Sequence, residues 1–283
     1  MAETITADAS VVRAEPRRND ARWGVTLRAR RIWAVGAIHA NASRLAALHD
    51  ALADRIHPND AVVYLGNYVG FGTAVHETLG ELLQFRCAFL ARRPFVHPTD
   101  LIYLRGQQEE MWQKLLQLQF AVAPEDVLRW MLEHGVGATL RAYGGDTPDA
   151  INATRSGPIA LARWAETLRG RMRQAPGHVA LFNALYRTAW TAPDGALFVH
   201  AGFDPARRFN DQTDEFWWET AGFDNHTTRF GQFRRVIRGY DPTHTGFAET
   251  PFTVTADGGC GFGGPLLAVC VDPDGAILDR LSV

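Results

Sequence analysis

Ala61-Val62-Val63-Tyr64-Leu65-Gly66-Asn67-Tyr68-Val69-Gly70-Phe71-Gly72 reads as a β-strand over 61–65 that runs into a glycine-rich loop over 66–72. An apolar-periodic helix follows from about 73 to 90. The same unit lies upstream: an apolar run at Ile32–Val35, the small-residue loop Gly36-Ala37-Ile38-His39-Ala40, and a helix from about Asn41 with Leu45, Leu48 and Leu52 on one face. It lies downstream too, as a strand over 101–104 and a helix containing Met111, Leu115 and Leu118. Alternating strands and helices with short connections imply a layered α/β core with parallel strands. In such cores the loops at the carboxyl ends of the strands converge to form the site.

Between about 124 and 190 the strand signals vanish and helical patterns dominate, notably over 159–174 and 178–190, so this stretch is expected to be an inserted helical lobe. Strand signals return at 196–199, 236–237, 252–255, 266–271 and 276–278. Asp272-Pro273-Asp274-Gly275 joins the last two as a hairpin. Residues 1–22 lack apolar periodicity and read as a poorly ordered arm, which leaves 23–283 as one domain. With 283 residues, 46% of them apolar, the chain can bury the core such a domain needs.

The 29 basic and 31 acidic side chains nearly cancel, so no overall field favours nucleic acid or an anionic membrane. No window approaches the stretch of about 18 apolar residues that a membrane span needs, and the N-terminus lacks an apolar secretory core. Cys87, Cys260 and Cys270 have no C-x-x-C spacing, which argues against a disulfide framework or a zinc knuckle. A soluble protein of the reducing cytoplasm is the expectation.

Five short segments fall on the loops of this frame: Gly36-Ala37-Ile38-His39-Ala40, Gly66-Asn67-Tyr68-Val69-Gly70-Phe71-Gly72, Arg105-Gly106-Gln107-Gln108-Glu109, Val199-His200-Ala201-Gly202 and Arg238-Gly239-Tyr240. In order and spacing they resemble the signature of the calcineurin-like metallophosphoesterases, GDxHG, GDYVDRG, RGNHE, VHAG and GH, in the branch of Ser/Thr protein phosphatases and bis-nucleosyl tetraphosphatases. Asp257-Gly258-Gly259-Cys260-Gly261-Phe262-Gly263-Gly264-Pro265 resembles the end of the tetraphosphatase-like branch. The resemblance spans about 31–279 and is weakest in the helical lobe. It implies an αββα sandwich of two mixed β-sheets flanked by helices, and a site where hard cations roughly 3.5–4 Å apart are held by carboxylates and imidazoles.

Carried over residue by residue, that site has lost most of its donors. The GDxHG aspartate aligns with Ala37, while its histidine is kept as His39. The bridging aspartate aligns with Asn67, whose neutral amide is a much weaker bridge between dications. Gly70 replaces a second aspartate, and Phe71 replaces the phosphate-clamping arginine, whose bidentate fork no aromatic ring reproduces. Gln107 stands at the asparagine ligand and Gln108 at the histidine general acid, where an amide cannot exchange protons near neutral pH. Glu109 and His200 are kept; the last histidine becomes Tyr240, with His244 four residues on as a substitute if the loop rearranges. A catalytic metal lowers the pKa of bound water from about 15.7 to about 7. No side chain left here supplies that activation.

The expectation is a catalytically inactive homologue, a pseudophosphatase with a binding, scaffolding or regulatory role, holding a protein partner or an anionic ligand over the old site. His39, Asn67, Gln107, Gln108, His200 and Tyr240 would line its ligand pocket, with no catalytic residue, metal or other cofactor. The alternative is a weak phosphoesterase acting on phosphoprotein or nucleotide phosphate esters. It would hold one divalent ion, Zn or Mn, with His39, His200 and Asn67, helped by His244 or Asp241. A structural subunit of a larger assembly is a third reading. Beside these stand plainer ones: His39 and His200 as hydrogen-bonded loop histidines, 258–264 as tight turns, and Cys260 as a buried structural thiol. At least two of Phe71, Phe216, Trp217 and Trp218 read as ordinary core. Arg163, Arg169, Arg171 and Arg173 read as the solvated face of a helix.

Overall fold

The computed structural model describes residues 23–92 and 96–283. The expected N-terminal arm, 1–22, lies outside the described residues. In chain order the strands and helices begin with β1 (Gly24–Leu27), β2 (Ile32–Val35), α1 (Ala42–Ala53), β3 (Ala61–Tyr64), α2 (Val75–Leu90), β4 (Leu101–Tyr103) and α3 (Gln107–Leu115). The helical stretch continues with α4 (Pro124–Glu133), α5 (Val136–Ala142), α6 (Thr147–Arg155), α7 (Pro158–Gln174) and α8 (His178–Asn183). Then come β5 (Thr188–Thr191), β6 (Ala196–Val199), α9 (Glu215–Trp218), β7 (Arg235–Arg238), β8 (Ala248–Glu249), β9 (Thr253–Thr255), β10 (Leu267–Val271) and β11 (Ile277–Ser282).

Two mixed sheets result, one ordered β1-β5-β6-β7-β9-β8 and the other β11-β10-β2-β3-β4. Strand alternation explains why they stack. Ile32 and Ala34 of β2 join Val63, Phe198 and Ile237 in the core between the sheets. The intervening Trp33 and Val35 pack with Leu45, Leu48 and Leu52 of α1 and Leu79 and Leu82 of α2. Both faces of these strands are therefore covered, as their unbroken apolar runs require. On the outer face of the other sheet, Leu197, Val199 and Val236 pack on Phe203, Phe216 and Phe233. Helices α3–α7 share a further core built on Trp112, Leu115, Leu128, Leu140 and Leu168.

The β/α alternation and the parallel pairing of β2, β3 and β4 hold as expected. So does the terminal hairpin, where Asp272 Oδ1 accepts the N–H groups of Asp274 and Ala276 and Gly275 adopts φ +86.

Some assignments need correction. The helix expected over 178–190 ends at Asn183, and Thr188–Thr191 is a strand. Tyr186 pairs with the end of β4, its N–H on Tyr103 O at 2.9 Å and its carbonyl accepting from Arg105 N at 2.7 Å. That tertiary pairing overrides the apolar periodicity. The expected helix containing Met111 and Leu115 is α3, but Leu118 leaves it for a separate 3-10 turn. Strands β1 and β8 went unread because each is short and lacks an apolar run.

Candidate functional site

All five motif segments meet at the carboxyl ends of β2, β3, β4, β6 and β7, joined by backbone hydrogen bonds. His39 N and Ile38 N donate to Asn67 O at 2.8 and 3.0 Å, Ala37 N donates to Gly239 O at 2.8 Å, and Tyr240 N donates to His200 O at 3.0 Å. His39, Asn67 and Phe71 adopt φ of 52, 56 and 55, the left-handed region that non-glycine residues avoid. Glu109 is the fastener. Its buried carboxylate accepts from the backbone N–H groups of Asn67, Tyr68, Val69 and Gly106 at 2.9, 2.8, 3.3 and 2.9 Å. Burial raises its pKa, and those donors oppose the shift.

Two glycines show how closely the loops approach. A Cβ on Gly66, at φ +96, would lie 2.7 Å from the Gly106 backbone and 2.8 Å from the His200 ring. One on Gly70, at φ +82, would strike Gln108 Oε1 at 2.0 Å.

The expected pocket residues do converge, all except Gln107, which is half-buried at the first position of α3. Asn67 Oδ1 accepts Gln108 N at 3.0 Å, and Gln108 Nε2 donates to His134 O at 2.7 Å. His200 Nδ1 donates to Leu65 O at 2.7 Å, which fixes its tautomer and leaves Nε2 as a bare acceptor. The Tyr240 ring lies parallel to the His200 ring, 5.3 Å between centroids, and packs with Ala37 and Ala201 in a small apolar cluster. The positions expected to have lost a ligand, Ala37 and Tyr240, thus lie in one apolar cluster.

His39 corrects an expectation. Both of its ring nitrogens are buried without a hydrogen-bond partner, so only His200 is a hydrogen-bonded loop histidine. The edges of Phe262, Phe71 and Tyr240 surround it at 5.1, 5.3 and 5.8 Å. Burial, reinforced by the imidazoles of His200 and His244, pushes His39 down to about 3, and burial pushes His200 down to about 4. Both are neutral at pH 7. Burial and the nearby Asp257 and Asp241 push the Tyr240 hydroxyl up to about 12.

The nearby carboxylates serve their own loop. Asp241 accepts from Thr243 and Thr245, and Asp257 accepts from the N–H groups of Asp241 and Gly259. His244 does not take the Tyr240 position: it stacks on Phe262 at 3.9 Å with Nδ1 3.3 Å from Asp257. Cys260 is buried, its thiol on Ile38 O at 3.3 Å and pushed up to about 12 by burial.

Above this floor lies an aromatic mouth. Phe71 and Phe262 meet edge-on at 4.7 Å, and the Phe71 ring covers Gly135. Next to Gly135, the ring of His134 stacks on Trp130, which lies 5.7 Å from Trp218. Phe71, Phe262, Trp130 and Trp218 are between 37% and 43% exposed, whereas Phe216 and Trp217 are core. The spacing of FWW could not separate Trp218 from its neighbours; only its place at the end of α9 does.

The donor set does not fit a pair of hard dications. Among the described residues no three His, Cys, Asp or Glu side chains group as metal ligands, and the one bridging candidate, Asn67, has its amide oxygen engaged. Two neutral imidazoles suit at most one borderline ion.

The two sheets and their flanking helices match a metallophosphoesterase-like fold. A crystal structure provisionally assigned as a diadenosine tetraphosphatase superposes with TM-score 0.54 at 17% identity, over 92% of this chain and 96% of that one. A Saccharomyces cerevisiae serine/threonine phosphatase (TM-score 0.48, 13% identity, 88% and 75% covered) and a Sphaerobacter thermophilus metallophosphoesterase (0.44, 15%, 90% and 88%) are also similar. The first carries the fold assignment; at such identities none carries an activity. No family model and no curated protein sequence matches the chain. Among the described residues no helix is long and apolar enough to cross a membrane.

Proposed function

We propose that this chain is a non-catalytic member of its fold, a pseudophosphatase that works by binding a protein partner at the aromatic mouth of the cleft. The observation that carries the reading is the Tyr240 ring, parallel to His200 and packed on Ala37 and Ala201, an apolar contact where the resemblance calls for ligands. Three further features support it. The clamp position is Phe71, the acid position is an amide tied to His134 O, and the two imidazoles carry no charge to attract a phosphate. The mouth instead offers rings, the side chains that dominate protein interfaces.

The test is hydrolysis of p-nitrophenyl phosphate and of a dinucleoside polyphosphate with added Mn²⁺. Turnover should stay far below the range of about 1–10³ s⁻¹ usual for enzymes; turnover within it sinks the proposal. A second reading, one Zn or Mn ion at His39 and His200, is favoured by their unpartnered ring nitrogens. Elemental analysis of the purified protein separates the two, since the second requires one ion per chain.

A further inference from the structure

Helices α3, α7 and α8 diverge and leave a cavity of about 370 Å³, within the roughly 300–1,000 Å³ typical of small-ligand sites. Its floor is apolar, formed by Trp112, Met172, Phe182 and Leu185. Among these four the indole N–H of Trp112 is taken up by Met172 Sδ at 3.5 Å; the amides of Gln113, Gln117 and Asn183 also line the cavity. Arg105, Arg169 and Arg173 stand at its border. Arg169 and Arg173 share a single carboxylate, Glu166, at 3.3 and 2.5 Å, and Arg169 also donates to Leu116 O. Arg171 is similarly held, by the carbonyls of Tyr143 and Gly144; Arg163, Arg171 and Arg173 are exposed, as a solvated helix face requires, and Arg169 is half-buried.

Arg105 pairs with Glu110 at 3.1 Å, and Lys114 approaches the same carboxylate at 3.6 Å. Arg105, Lys114, Arg169 and Arg173 therefore face Glu110 and Glu166. The remaining acid, Glu109, spends its oxygens on four backbone N–H groups. Even with Glu109 counted as ionised, positive charge is in excess. Glu166 is 56% exposed, so its pairing is weak and open to exchange for another anion.

We infer that this cavity binds a small amphipathic carboxylate, its apolar body on the Trp112–Met172 floor and its head on Arg169 and Arg173. Inorganic phosphate lacks the body such a floor requires, and a neutral alcohol lacks the head. The site is separate from the aromatic mouth and does not depend on the reading of the cleft.

The test is calorimetric titration of the full chain with decanoate, beside decanol and inorganic phosphate. One decanoate should bind per chain, with decanol and phosphate at least about tenfold weaker, the size of a lost charge-assisted hydrogen bond. The double variant Arg169→Gln/Arg173→Gln should lose about tenfold or more. Glu166→Gln, which removes the competing carboxylate, should bind several-fold tighter, a gain that no structural damage would produce. Val179→Trp, which fills the cavity, should abolish binding, with circular dichroism checking the fold. Decanol binding as well as decanoate, or the double arginine variant keeping parental affinity, overturns the inference.

Discussion

Replacing Glu109 with alanine removes the acceptor that holds two motif loops together. Four buried N–H groups, of Asn67, Tyr68, Val69 and Gly106, lose their partner at once. An unsatisfied buried donor costs about 1–3 kcal/mol, so the low end of that range gives about 4 kcal/mol. Water entering the space left by the side chain makes the low end the sensible choice. At about 2–4 °C per kcal/mol for domains of this general size, the melting temperature should fall by about 8–16 °C. Glu109→Gln should recover part of this, since one oxygen still accepts while the amide nitrogen faces N–H groups. The control is Glu166→Gln, whose exposed carboxylate pairs with Arg169 and Arg173 and whose loss should barely move the melting temperature. Calorimetric melts of the three variants decide it. Glu109→Ala melting within about 2 °C of the parent would refute the view that this carboxylate, and not a bound ion, organises the loops.

Three other outcomes follow from the site. His39 and His200 have folded pKa values pushed down to about 3 and 4, so the unfolded chain binds the extra protons, and their contribution is lost as pH falls through about 6.5 toward those values. From pH 7 to pH 5 each should cost about 2 kcal/mol. Urea melts of His39→Phe, whose ring lies among aromatic edges and forms no hydrogen bond, should show a pH slope shallower by that amount. Gly66→Ala should lose about 1–3 kcal/mol or more in the same melts, because φ +96 is strained for alanine and its Cβ would meet the Gly106 backbone at 2.7 Å. Restoring the donors together, as Ala37→Asp, Asn67→Asp, Gln107→Asn, Gln108→His and Tyr240→His, should give a protein that retains Mn²⁺ or Zn²⁺ in elemental analysis where the parent does not.

The layered α/β core and the convergence of the loops were legible because strand and helix periods differ and the motif segments fall at fixed points in that alternation, whereas the two mixed sheets were implied by the resemblance of those segments. Ile32, Ala34, Trp33 and Val35 all read as apolar, yet only the structure divides them between the sheet interface and the helices. Thr188–Thr191 was not legible, since one of its two partners, β1, lies far away in the chain. Within the site, residue types announced which donors were missing. What fills their place did not show: that Tyr240 lies flat on His200, or that Phe71 and Phe262 enclose His39, depends on side-chain geometry with no period in the sequence. Glu109 was read only as a residue kept, and its four bonds give the physical reason.

Those bonds also explain how such a cleft can hold its shape without ions. His39, Ala40, Asn67 and Phe71 hold positive φ, each at a cost of order 1–3 kcal/mol. Strain of that size persists only where surrounding contacts over-determine the backbone. Here the contacts come from the protein itself: Glu109 gathers the N–H groups flanking Asn67, Asn67 O accepts from Ile38 and His39, and Gly72 N donates to His39 O at 3.2 Å. No member of this set requires a cation. A loop framework secured by one buried carboxylate and the backbone can therefore keep its form with Ala37, Phe71 and Tyr240 at the positions where the resemblance calls for two metal ligands and a phosphate clamp. If ions were the organising element, the same substitutions would leave the strained residues without support, and raising Mn²⁺ or Zn²⁺ should then stabilise the protein, whereas the geometry here predicts a melting temperature that does not respond to either.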